Sequence, residues 1–167
     1  MARLNTIGHS AGPFEELREA FDAHAIRTLV DIRAFPMSRR LPHFNHGSLE
    51  KSLPAAGITY VWMKSLGGYR KQMVDHSTHM GLRNPSFRNY ADHMLTPEFE
   101  NAMAELRSMA EQSPTAYMGS ERVYFLCHRM LVSDWLVAHG HEVRHIDGRE
   151  RHGLISSLPK AASWTDG

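Results

Sequence analysis

The chain has 167 residues, enough for one domain with its own core. A chain near this size buries about 68–70% of its unfolded surface and folds without disulfide or metal staples. Lys and Arg number 19 against 18 Asp and Glu, and the net charge of +1 excludes retention on nucleic acid or membrane by bulk charge alone.

The 42% hydrophobic and 22% charged composition argues against disorder. The single cysteine, Cys127, excludes an internal disulfide and a cysteine-only metal cage. No apolar run approaches about 20 residues, and Met1 to Asn5 lacks a signal-peptide core. A cytoplasmic protein with no membrane partner is expected, as one domain over 1–167. Its core spans about 3–147, with a peripheral tail over 153–167.

In chain order, Leu4 to Ile7 reads as a short strand ended by Gly8. Gly12-Pro13 opens a helix in which Phe14, Leu17 and Phe21 recur on one face, with acids opposite. Thr28 to Ile32 is a β-branched, buried strand followed by a basic loop from Arg33 to His46. Ser48 is the expected cap of a short helix carrying Leu49 and Leu53, disturbed by Pro54 and stopped at Gly57. Ile58 to Trp62 is the third strand, closed by Leu66-Gly67-Gly68. Tyr69 to Asn84 shows no periodicity and is read as a long loop. Asn84-Pro85 and Thr96-Pro97 then start two helices. Thr115 to Met118 is a fourth strand, Cys127 to His139 a helix ended by Gly140, and Val143 to Ile146 a fifth strand.

This alternation predicts an α/β fold: a three-layer domain with a mainly parallel five-stranded sheet flanked by helices. The expected strand order is 3-2-1-4-5, with the first strand central. Ligands in such sheets bind beyond the carboxyl ends of the strands. That edge collects His9, Ser10, Asp31, Arg33, Gly67, Gly68, Glu121 and, at a helix start, Cys127-His128-Arg129.

Cys127-His128-Arg129 is the sharpest feature. A helix N-terminus with an arginine beside it favours negative charge, lowers a thiol pKa and suits an anion. Equally, Cys127 reads as a small buried hydrophobe and Arg129 as a bridge to Asp31 or Glu121. Asp31, Glu121, His9 and His128 are the acid–base candidates. Arg33, Arg39 and Arg129, with Ser10, Ser38, Gly67 and Gly68, are the candidates to hold a phosphate or carboxylate. Asp31 and Arg33 also read as a buried pair that fixes the loop, and Ser10 as a helix cap. Histidine pairs His43/His46 and His76/His79 leave a metal-binding reading open, although three-residue spacing in loops fixes no geometry. Five basic residues against one acidic between 64 and 88, interleaved with aromatics, leave open a nucleic-acid binding module. No motif specifies a cofactor or an oligomeric state.

The ordered motifs Thr6-Ile7-Gly8-His9-Ser10, Val30 to Arg39, Leu66-Gly67-Gly68, Cys127-His128-Arg129 and Val143 to Ile146 resemble the family called domain of unknown function 488. The resemblance spans roughly residues 3 to 147. It implies a compact three-layer α/β domain in the cytoplasm and no established reaction; some members are associated with nucleic-acid transactions. Similar members often carry Cys, a small residue and Glu after the fourth strand, where this chain has Gly119-Ser120-Glu121. The same alignment places Val123 to Leu126 in a loop. The favoured expectation is an enzyme acting on an anionic substrate, a nucleotide or nucleic-acid end included. The rivals are the binding module and the metal protein.

Overall fold

Leu29 and Val30 are neighbours in the chain, yet they pack into different cores. Successive side chains of a strand point to opposite faces, so a strand buried on both sides must be apolar throughout. Every residue of β2 (Thr28–Asp31) and of β4 (Thr115–Gly119) is buried, and the polar exceptions, Thr28, Asp31, Thr115 and Tyr117, are hydrogen-bonded. The computed structural model describes residues 1–71, 84–124, 127–147 and 151–154. Around β2 and β4 stand β1 (Arg3–Gly8), β3 (Thr59–Trp62) and β5 (Glu142–Asp147), all parallel. β6 (Arg151–Leu154) pairs antiparallel with β5 at the edge.

The strand order is β3-β2-β4-β1-β5-β6, which corrects the expected 3-2-1-4-5. β1 and β4 have exchanged places. β1 and β2 are not paired with each other; β4 lies between them, with Ala116 beside Asn5 on one side and Leu29 on the other.

α1 (Phe14–Ala23) and α2 (His46–Ala55) cover one face, where Leu17, Phe21, Leu49 and Leu53 meet Ile7, Leu29 and Met118. α3 (Pro85–His93), α4 (Pro97–Gln112) and α5 (Arg129–Ala138) cover the other, where Tyr90, Phe99, Leu106 and Leu131 meet Leu4, Val30 and Tyr117. The result is the expected three-layer α/β fold. Asn84 and Thr96 cap α3 and α4 through side-chain oxygens, each with proline at the first helical position. Gly57 and Gly140 follow α2 and α5 at φ of 78° and 83°, the left-handed turn that glycine enters freely.

Two helix starts differ from expectation. Ser48 lies inside α2, where its hydroxyl donates to the Pro42 carbonyl at 2.8 Å. α5 begins at Arg129 and not at Cys127, with His128 as the preceding residue. Most of the Tyr69 to Asn84 loop, including His76 and His79, lies outside the described residues, as do Phe125 and Leu126.

Candidate active site

The chain leaves β4 at Gly119 and returns to the sheet edge at Cys127, so the thiol stands beside the end of its own preceding strand. Gly119 makes this possible. A Cβ there would lie 2.6 Å from the Cys127 Sγ and 3.0 Å from the Arg129 Nε. Both groups therefore reach the same bare patch of backbone.

His128 comes next and its ring is clamped. Its Nε2–H donates to the Ile32 carbonyl at 2.7 Å, and its Nδ1 lies 3.4 Å from the Cys127 Sγ. With Nε2–H committed to a carbonyl, Nδ1 is the ring nitrogen that faces the thiol, and a proton passed to it from sulfur leaves a thiolate beside an imidazolium. Burial works to raise the Cys127 thiol. The His128 ring, the Arg129 guanidinium and the Arg129 backbone N–H outweigh it and bring the thiol down to about 7.

Arg129 is fully buried. It donates through Nη1 to the Thr6 hydroxyl at 2.8 Å and through Nη2 to the Glu121 carbonyl, while its Nε has no partner. Among the described residues no carboxylate pairs with it, so neither Asp31 nor Glu121 provides the bridge that sequence offered as an alternative. A guanidinium kept in a dry interior demands a counter-charge. The Cys127 thiol, brought down to about 7 in part by this guanidinium, is the acidic group beside it.

Gly68 borders the same ring: a Cβ there would lie 2.5 Å from the His128 Nδ1 and 2.8 Å from Cγ. Gly68→Ala should therefore push the imidazole off the thiol while leaving the sheet intact. The pH profile of Cys127 alkylation should then move from about 7 toward the ordinary thiol value of about 8.5. An unmoved profile would mean that the ring does not set the thiol.

Asp31, Arg33 and His9 form a separate group. Arg33 grips Asp31 through Nε at 2.8 Å and Nη2 at 2.6 Å, and Nη2 also donates to the Phe44 carbonyl at 2.7 Å. Tyr60 donates its hydroxyl to Asp31 at 2.6 Å. Burial lowers His9 to about 4, so at neutral pH it is uncharged. Its Nδ1 bonds the Ser10 carbonyl at 2.6 Å, its Nε2 faces the Arg33 Nη1 at 3.3 Å, and its ring stacks on Phe44. Asp31 follows Leu29 by two residues and so shares its face with α1 and α2, opposite the face of Cys127. The carboxyl edge is common to both groups; the chemistry is not.

The other candidates have local duties. The Ser38 hydroxyl accepts from the backbone N–H groups of Arg40 at 3.2 Å and Leu41 at 3.1 Å, closing its loop. Gly67 packs against the Ala34 backbone, where a Cβ would lie 2.8 Å from Cα. Ser10 takes a left-handed backbone, and its N–H donates to the Ser120 carbonyl at 3.0 Å. Arg39 is exposed and has no partner among the described residues. Glu121 is exposed, and only its carbonyl is engaged. Sequence reading missed Thr6, Tyr60 and the Ile32 carbonyl. Period-2 alternation carries a signal for Thr6, which shares the face of Leu4.

A cavity of about 350 Å³ opens beyond the ends of β2 and β4 and is lined by Arg33, Phe35, Tyr69, Glu121, Cys127 and His128 among others. A larger cavity, about 650 Å³, lies at the opposite edge, by Asn5 and Pro114. Its arginines, Arg3 and Arg144, are both bound to Glu142, and the Ser113 hydroxyl on its wall is hydrogen-bonded to that of Thr28 at 2.7 Å. The site belongs to the smaller cavity, because the thiol–imidazole pair is there. Among the described residues, no three or more His, Cys, Asp or Glu are grouped to hold a metal ion. No helix there is long and apolar enough to cross a membrane.

One family model, described as domain of unknown function DUF488, matches residues 13–136. No curated protein and no solved structure matches the chain.

Proposed function

Because the chain belongs to the DUF488 family, whose description assigns no reaction, we propose its function from the site itself: an enzyme in which Cys127 is the nucleophile and His128 its base. The observation that carries this is the 3.4 Å contact between Sγ and an Nδ1 whose ring is locked by the Ile32 carbonyl. The substrate is anionic, of the phosphate- or carboxylate-bearing class to which nucleotides belong.

The chemistry follows from the pair. Nδ1 takes the thiol proton, and the thiolate forms a bond to an electrophilic carbon or phosphorus of the substrate. The bond to the leaving group breaks with its electron pair, and the imidazolium returns the proton to that group. Water then attacks the covalent adduct with His128 again as base, so the thiol is regenerated and the sum is hydrolysis. In this reading Arg129 balances the thiolate from beneath, Asp31 and Arg33 brace the loop, and Ser38, Gly67 and Gly68 shape it. Arg39, exposed and without a partner among the described residues, is the cation assigned to the substrate's charge. Glu121 lies at the mouth, and neutral His9 and Ser10 hold the end of β1.

The rival reading, a non-catalytic nucleotide-binding module, draws on the 8% exposure of Cys127. Alkylation by iodoacetamide in the native state separates the two. The nucleophile reading expects reaction at pH 7 with an inflection near 7, slowed by phosphate competing at the helix end. Reaction only after unfolding would make Cys127 a core residue and leave the binding module.

A further inference from the structure

We propose that the mouth of the Cys127 cavity is a subsite for a flat heteroaromatic ring with a donor edge, a base of the guanine type. This deepens the nucleotide reading above and rests on it for the rest of the substrate.

Phe35 and Tyr69 are 67% and 65% exposed, and both line the cavity. Their ring centroids are 5.7 Å apart and tilted at 55°, so they lean on each other at the mouth without stacking and most of each ring stays exposed. Large exposed rings are unfavourable in water and are common where a π-face awaits a partner. Phe87, partly buried, closes the cavity from α3.

The rim is also held in place. The Trp62 indole N–H donates to the Arg33 carbonyl at 2.9 Å, and the His46 N–H donates to the Pro36 carbonyl at 2.8 Å, which fixes the backbone on both sides of Phe35. Tyr69 precedes Arg70, whose guanidinium donates to the carbonyls of Lys64 at 3.2 Å, Ser65 at 2.7 Å and Gly67 at 3.2 Å. Ordering costs are met before any ligand arrives, which favours binding.

Polarity selects the ring. The Arg33 charge on the cavity wall is already spent on Asp31. The Glu121 carboxylate is exposed, without a partner among the described residues, and its own backbone is fixed by Arg129. A carboxylate accepts only, and its two oxygens match two parallel N–H donors. The N1–H and 2-amino group of guanine present that pair; hypoxanthine lacks the amino group, and adenine has no N1–H. Base stacked on aromatics with its edge on Glu121 leaves the phosphate end free to approach the thiol on the same cavity wall.

Binding of GMP, IMP and AMP to the wild-type protein by calorimetry tests this. GMP should bind on the order of tenfold more tightly than IMP, the effect of one charge-assisted hydrogen bond, and more tightly still than AMP, which lacks both donors. Glu121→Gln should erase that preference while leaving AMP affinity in place. Phe35→Ala and Tyr69→Ala should weaken all three nucleotides, each by roughly five- to a hundredfold. Equal affinities in the wild type, or a preference that survives Glu121→Gln, overturn the guanine edge. Affinities indifferent to both aromatic replacements overturn the stacking subsite. The outcome is separable from the nucleophile reading: selective GMP binding with an inert thiol keeps the subsite alone, and a thiol titrating near 7 without nucleotide binding keeps the nucleophile alone.

Discussion

Arg129→Ala should destabilise the protein by about 3–5 kcal/mol, the usual effect of removing a buried charged donor from its acceptors. The side chain is completely buried and bonds Thr6 of β1 and the Glu121 carbonyl after β4. Its loss orphans both oxygens, empties the volume under Gly119 and frees the segment that carries Glu121. Arg129→Lys keeps the charge but not the fork, so it should recover only part of the stability. Urea unfolding of the three proteins measures this. Alkylation profiles should move with it: without the guanidinium, the Cys127 inflection rises above about 7. Unchanged unfolding midpoints in Arg129→Ala would refute the role given to this residue.

Asp134→Asn should do the reverse and stabilise the protein, in a manner that depends on pH. Asp134 sits within α5 at 1% exposure, and neither carboxyl oxygen has a hydrogen-bond partner. Burial raises its pKa to about 7. An unfolded aspartate titrates near 3.9, so between the two values the folded protein holds a proton that the unfolded chain has released. Stability therefore falls as pH rises from about 4 to about 7, and the loss persists above it. The amide has no charge to desolvate. Its advantage over wild type should grow from almost nothing at pH 4 to roughly 2–4 kcal/mol at pH 8. An advantage of equal size at both pH values would trace the gain to packing.

The layers were readable because the relevant signals are local. Apolar runs such as Thr28 to Ile32 mark strands buried on both faces, and Asn84-Pro85 and Thr96-Pro97 mark helix starts by cap chemistry. Of the strand order, the β2-β3 and β1-β4 pairings were readable, but which of β1 and β4 stands beside β2 was not. Which parallel strands become neighbours depends on how far each crossover reaches, and β1 and β4, both short and closed by glycine, offer nothing local to set them apart. The Cys127-His128-Arg129 start of α5 was legible for the same local reason as the caps. What positions it was not: the Arg129 bond to Thr6 spans 123 residues, and the Ile32 group that fixes the imidazole is a backbone carbonyl, present at every residue. The separation of Asp31 from Cys127 was within reach, since Asp31 keeps step with Leu29 and so faces α1 and α2. Asp134 was within reach too, as a lone acid in the apolar stretch from Met130 to Leu136.

The place of β4 has a consequence for how the chain acquires its structure during synthesis. β2 and β3 can pair once residue 62 has been made, but β1 has no partner until β4 is complete at residue 119. At the usual pace of about 5–20 residues per second, those 57 or so further residues take several seconds, during which the backbone of β1 is hydrogen-bonded only to water. The late strand then joins two halves that cannot recognise each other directly, and closing it forms contacts of high sequence separation, the slow kind. A nascent chain halted before residue 115 has no sheet centre at all. Its Leu4 and Ile7, buried on opposite faces in the finished domain, are at that stage free to engage a chaperone or another unfinished copy.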